Sequence, residues 1–126
     1  MAGKKLKTLT KAELRVMEVL WQRRSGTVAD VVAALQSPPL AYTTVLTMLR
    51  ILERKGYIRH KIEGRAFRYY PVVNRQQAST SALRHLLHRF FDGAPGKLAI
   101  NILEHERLSE RDLQQLKRLI QEARQK

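Results

Sequence analysis

Three hydroxyls and a run of cations are the residues of this chain best suited to do chemistry. Thr43, Thr44 and Thr47 fall within five positions and are followed by Arg50. Between Arg50 and Arg68 stand Arg50, Arg54, Lys55, Arg59, Lys61, Arg65 and Arg68, against only Glu53 and Glu63. Short hydroxyl side chains donate and accept hydrogen bonds at close range, and guanidinium and ammonium groups grip anionic oxygens. Neither set is a nucleophile with a base, and the chain holds no glycine-rich phosphate loop. The chemistry on offer is recognition of a polyanion, and no catalytic residue is expected.

The bulk numbers agree. The net charge is +13 with a sequence pI near 10.8, and 44% of the 126 residues are hydrophobic, enough to build a core. The positive excess is concentrated in residues 1–74, around the hydroxyl and cation cluster. Such a balance favours nucleic acid over an anionic membrane surface. With no cysteine there is no disulfide framework, thiolate metal site or thiol switch. No apolar run is long enough for membrane insertion, and the N-terminus lacks the apolar core of a secretory signal, so a cytoplasmic protein is expected. His85 and His88 form an i, i+3 pair, but without a carboxylate at ligand spacing they read as surface histidines; no metal and no cofactor is expected.

The elements that must position these residues follow in order. Met1–Leu9 reads as a frayed basic arm. Thr10 and Glu13 form a capping box that starts helix 1, with Leu14, Met17 and Trp21 on its apolar stripe, Val16 and Leu20 widening it, and Arg23, Arg24 and Gly26 closing it. Thr27 caps helix 2 with Asp30 in its first turn, and Ser37-Pro38-Pro39 stops it. Helix 3 spans about Ala41 to Lys55, buries Val45, Met48, Leu49 and Leu52, and ends at Gly56 in the left-handed conformation. Tyr57–Ile62 and Arg65–Tyr70 then form a hairpin about Glu63-Gly64. That register pairs Ile62 with Arg65, His60 with Phe67 and Ile58 with Tyr69. Ile58, Phe67 and Tyr69 pack inward; Arg59, Lys61 and Arg68 share the opposite face, with Arg65 at the tip.

Composition changes at Asn74, which divides a domain of residues 1–74 from a tail of residues 75–126. Three helical segments follow: Arg75–Phe91, Pro95 to about Glu106, and Glu110–Gln125. The last is opened by Ser109 and Asp112 and carries Leu113, Leu116, Ile120 and Ala123 at 3-4-3 spacing, a coiled-coil-like seam. Such short helices must bury their apolar faces elsewhere. Leu83, Leu87, Phe90, Leu98, Ile102, Leu113, Leu116 and Ile120 are therefore the expected dimerisation residues.

The fold class expected is mostly α with a small β-hairpin: a winged helix-turn-helix followed by a helical dimerisation segment. A recognition helix places its first turn in the major groove, and a basic wing holds phosphate. The expected DNA contacts are Ala41, Tyr42, Thr43, Thr44, Thr47 and Arg50 on the helix, and Arg59, Lys61, Arg65 and Arg68 on the wing. Two other readings share the fold: an effector- or metal-sensing regulator, and a protein–protein interaction module.

With LTKAELRVMEVLW, YTTVLTMLRILERKGYIRHK and GRAFRYYPVV in view, the chain resembles the penicillinase-repressor (BlaI/MecI) family of winged-helix transcriptional regulators over nearly its whole length. The resemblance implies a homodimeric, sequence-specific repressor that binds double-stranded DNA at a near-palindromic operator. It also implies an inducing membrane sensor-protease in the antibiotic-responsive members, which are cleaved at an Asn–Phe bond. The matching bond here is Asn101–Ile102, without the aromatic partner, and the C-terminal cysteines of copper-responsive relatives are absent. The inducer is left open.

Overall fold

The computed structural model describes residues 6–126. The elements are α1 (Lys11–Arg23), α2 (Val28–Ala34), α3 (Tyr42–Arg54), β1 (Ile58–Glu63), β2 (Ala66–Pro71), α4 (Arg75–Phe90), α5 (Pro95–His105) and α6 (Glu110–Arg124). They divide into two compact units, one running to His85 and the other from Leu86 to Lys126.

In the first unit, local chemistry fixes each helix start. Thr10 accepts from the Glu13 amide while the Glu13 carboxylate accepts from the Thr10 amide, so two orphan donors are satisfied at once. Thr27 and Asp30 repeat the arrangement at α2. Caps of this kind each contribute about 1 kcal/mol. Val16, Met17, Leu20, Val31, Val45, Leu49, Leu52, Tyr57, Ile58 and Tyr69 are almost fully buried and form one core under the three helices and the base of the hairpin. Leu14, expected on the buried stripe of α1, is exposed; Val19 takes a place in the core instead.

Helix α1 ends on Arg24, whose φ is 74°, and not on Gly26. Gly26 has another task. Its N–H and C=O pair with Tyr69 at 3.0 and 2.8 Å, which attaches the start of α2 to the hairpin as a third, single-bridge edge. Gly56, at φ 90°, does close α3 in the left-handed conformation.

The hairpin register differs from the one expected. Ile58 pairs with Pro71, His60 with Tyr69 and Ile62 with Phe67, and the two-residue loop is Gly64-Arg65. Gly64 has φ 63°, and the first central position of a type II′ turn demands that sign. Glycine therefore belongs first in the loop, not second. The slip moves the register by two residues, so each side chain keeps its face. Phe67, expected to pack inward, is nevertheless exposed, because the strands outrun the helices beneath them.

Of the N-terminal arm, Met1–Lys5 lie outside the described residues. Leu6–Leu9 do not fray: Leu6 and Leu9 pack on the core, and three successive carbonyls are each taken by a side chain. The Leu6 carbonyl accepts from Ser81 and His85, that of Lys7 from Tyr57, and that of Thr8 from Lys55. The first half of α4 is likewise tied in. Arg75 pairs with Glu18 and lies 5.1 Å from the Trp21 ring, Trp21 Nε1 donates to the Val73 carbonyl at 2.8 Å, and Ala78 is buried. The first unit thus reaches eleven residues beyond Asn74.

In the second unit, Pro95 opens α5 and the Ser109 hydroxyl caps α6 by accepting from the Asp112 amide at 3.0 Å. Neither α5 nor α6 contains a buried residue.

Candidate nucleic-acid interface

Helix α3 is amphipathic by simple spacing. Val45, Leu49 and Leu52 face the core with no exposed surface. The opposite line, at i, i+4, i+7 and i+11, is Thr43, Thr47, Arg50 and Arg54, all exposed. Thr44 sits on the flank toward α1 and is half-buried, and Tyr42, on the flank toward the hairpin, is 55% exposed. Ala41 is the N-cap and offers no side-chain acceptor. The first-turn amides of α3 therefore have no side-chain partner, and the positive end of the helix dipole faces outward among hydroxyls. Arg54 was not singled out from sequence as a contact; its spacing from Thr43, Thr47 and Arg50 is the signal that finds it.

The far end of α3 is held on both sides. Lys55, its C-cap residue, donates to Glu13 Oε1 at 2.6 Å and to the Thr8 carbonyl at 2.9 Å. Burial pushes the Glu13 carboxyl up, but Lys55 and the bonds from Thr10 outweigh it and hold the group below the usual glutamate range. On the other side, His60 Nδ1 lies 2.8 Å from both carboxylate oxygens of Glu53, which links β1 to α3.

The four wing cations are not equivalent. Arg59, Lys61 and Arg65 are exposed and make no ion pair among the described residues. Arg68 is occupied: its guanidinium lies 2.9 Å from Glu63 and 3.6 Å from Asp30, and donates to Ser25 Oγ at 3.2 Å. The bond to Glu63 raises its pKa further. Asp30 is held below the ordinary aspartate range by the Thr27 amide first, then by the Thr27 hydroxyl, Arg23 and Arg68 against the opposing effect of burial.

The expected tail residues have the exposure of an uncovered face. Leu83, Phe90, Ile102, Leu113, Leu116 and Ile120 are exposed, and Leu87 and Leu98 are half-buried. Within the second unit, α5 and α6 border a cleft of about 840 Å³ lined largely by leucine and isoleucine. Asn101 and Ile102 lie inside α5, where the Asn101 carbonyl accepts from His105 Nδ1 at 2.9 Å. His85 is committed to Leu6, and no cluster of three metal-ligating side chains occurs among the described residues. Nor, among them, is any helix long and apolar enough to cross a membrane.

Two helices joined by a tight connection, the second with a polar outward line, and a basic two-stranded wing beside it, define the winged helix-turn-helix class. Comparison with known proteins narrows this. Residues 9–122 match the model of the penicillinase repressor family. The penicillinase repressor of Bacillus licheniformis is 31% identical over 120 residues, covering 94% of each chain. Among solved structures, the DNA-binding domain of the repressor BlaI aligns with 34% identity and a TM-score of 0.53, over 60% of this chain and 93% of that one. The monomeric form of B. licheniformis BlaI in complex with the blaP half-operator aligns at the same identity and coverage, with a TM-score of 0.50. The chain belongs to the penicillinase repressor family. It is a DNA-binding transcriptional repressor and not an enzyme.

Proposed function

We propose that the chain represses transcription as a homodimer, each copy seating α3 in the major groove of one half of a near-palindromic operator. The observation that carries this reading is the outward line Thr43, Thr47, Arg50 and Arg54, with Ala41, Tyr42 and Thr44 beside it and unpaired cations on the adjoining wing. Hydroxyls and guanidinium groups at the start of a recognition helix read base edges. Arg59, Lys61 and Arg65 take phosphate, which sets position and salt dependence and adds little sequence information. Arg68 serves chiefly by holding the wing in place through Glu63 and Asp30.

A second copy is the natural cover for the second unit. Among the described residues, nine of the fifteen exposed large hydrophobics lie there, and apolar side chains concentrated on so short a segment suit an interaction surface. That a relative binds a half-operator as a monomer accords with one winged helix per half-site. Such a repressor works in the cytoplasm, where its operator is. Release by a membrane sensor-protease would act at Asn101–Ile102, and because that bond lies within α5 the helix must first unwind there. Footprinting on the chain's own upstream DNA tests the whole reading: two protected half-sites related by a dyad support it, and a single protected half-site would refute the dimeric mode.

A further inference from the structure

The inner face of the wing changes character along its length. At the base, Ile58 and Tyr69 are buried at 1% and 2% exposure. Further out, four residues beyond Ile58 and two beyond Tyr69, the same face carries Ile62 at 74% and Phe67 at 45%, directly paired across the strands. This pair is braced: His60 stacks on Phe67 with ring centroids 4.3 Å apart, and Glu53 of α3 holds His60 from below. Ribbon edges and tips are ordinarily protected by charge, yet here two large apolar side chains stand out beside the loop cation Arg65. Arg59 and Lys61 lie on the opposite face with no carboxylate partner among the described residues.

A surface that is apolar on one side and cationic on the other fits a partner whose apolar parts are embedded between anions. The deoxyribose walls of the DNA minor groove have that character. We propose that Ile62 and Phe67 pack against deoxyribose in the minor groove next to the major groove occupied by α3, so that the wing senses groove width. The inference rests on the DNA-binding reading. Sugar contacts release no counterions, so they add affinity without adding salt dependence. They also favour A·T-rich flanks, whose narrower groove brings both walls within reach.

The test is equilibrium binding of the full chain to its upstream operator, measured across a salt series for the wild type, Ile62→Thr, Ile62→Val and Arg65→Gln. Threonine keeps the β-branched shape and removes the apolar end. Ile62→Thr should weaken binding about tenfold, leave the slope of log affinity against log salt unchanged, and erase the preference for A·T over G·C beneath the wing. Ile62→Val should restore most of the affinity, and Arg65→Gln should lower the slope by about 0.9. Wild-type affinity for Ile62→Thr, or a reduced slope, would overturn the sugar contact while leaving the DNA reading intact. A change of sedimentation in Ile62→Thr would also overturn it, by assigning the pair to a contact between copies. Failure of the wild type to distinguish operator from random duplex would overturn both.

Discussion

Glu13 and Lys55, forty-two positions apart, are joined by a 2.6 Å ion pair in which the same carboxylate oxygen also closes the first turn of α1. One buried group thus starts the first helix and holds the C-cap residue of α3. Removing the charge strikes at the second of these, because a glutamine oxygen can still accept from the Thr10 amide. Glu13→Gln should destabilise the first unit by about 2–3 kcal/mol, since it leaves the part-buried Lys55 ammonium without its anion. Thermal unfolding of the variant checks this, and an unchanged midpoint would contradict it.

The pH dependence follows from the same groups. The Glu13 and Asp30 carboxyls both have lowered pKa values in the folded chain. Their stabilisation is therefore complete above the unfolded values, near pH 4, and is lost as pH falls through the folded ones. Denaturant titrations at falling pH should show the midpoint decline below about pH 4, and the decline should be shallower in Asp30→Asn.

Arg68 and Arg65 separate two ways in which a wing cation acts. Arg68→Gln should weaken binding to all duplexes several-fold with little change in salt slope, because its guanidinium holds Glu63, Asp30 and Ser25. A salt slope reduced as much as in Arg65→Gln would show that Arg68 exchanges its carboxylates for phosphate.

Thr43→Ala and Thr47→Ala should each narrow the gap between operator and mismatched sites by about tenfold. Thr44→Ala, on the half-buried flank, should do less. Competition binding with single-base operator variants gives the comparison, and equal effects at all three positions would contradict the outward line.

Leu116→Glu and Ile120→Glu place charge on the open face of α6. Each should shift sedimentation at micromolar concentration from dimer to monomer, and weaken binding to a complete operator by roughly 10²-fold through loss of linked half-sites. Retained dimers in both variants would place the contact on another face.

Much of the fold could be read ahead because its signals are local. Thr10 with Glu13, Thr27 with Asp30, and Gly56 after a cationic turn each declare a helix end within four residues. The wing was legible too, but its register turned on whether Gly64 stands first or second in a two-residue loop, which only its φ decides. The missed features all join distant parts of the chain. The three arm carbonyls, the Gly26–Tyr69 bridge and the Arg68–Asp30 pair leave no periodic trace, so Leu6–Leu9 read as a loose arm and Arg68 as a free cation. Exposure of Phe67 depends on where the helices beneath the ribbon stop, which spacing along the strand does not report.

The most direct measurement is a binding titration of the chain against its own upstream operator and against a scrambled duplex of equal length, repeated from low to physiological salt. Operator affinity should exceed that for the scrambled duplex by ~10³ or more, and both should fall linearly with the logarithm of salt concentration. Equal affinity for the two duplexes, or binding indifferent to salt, would contradict a sequence-specific repressor that reads bases with α3 and holds phosphate with its wing.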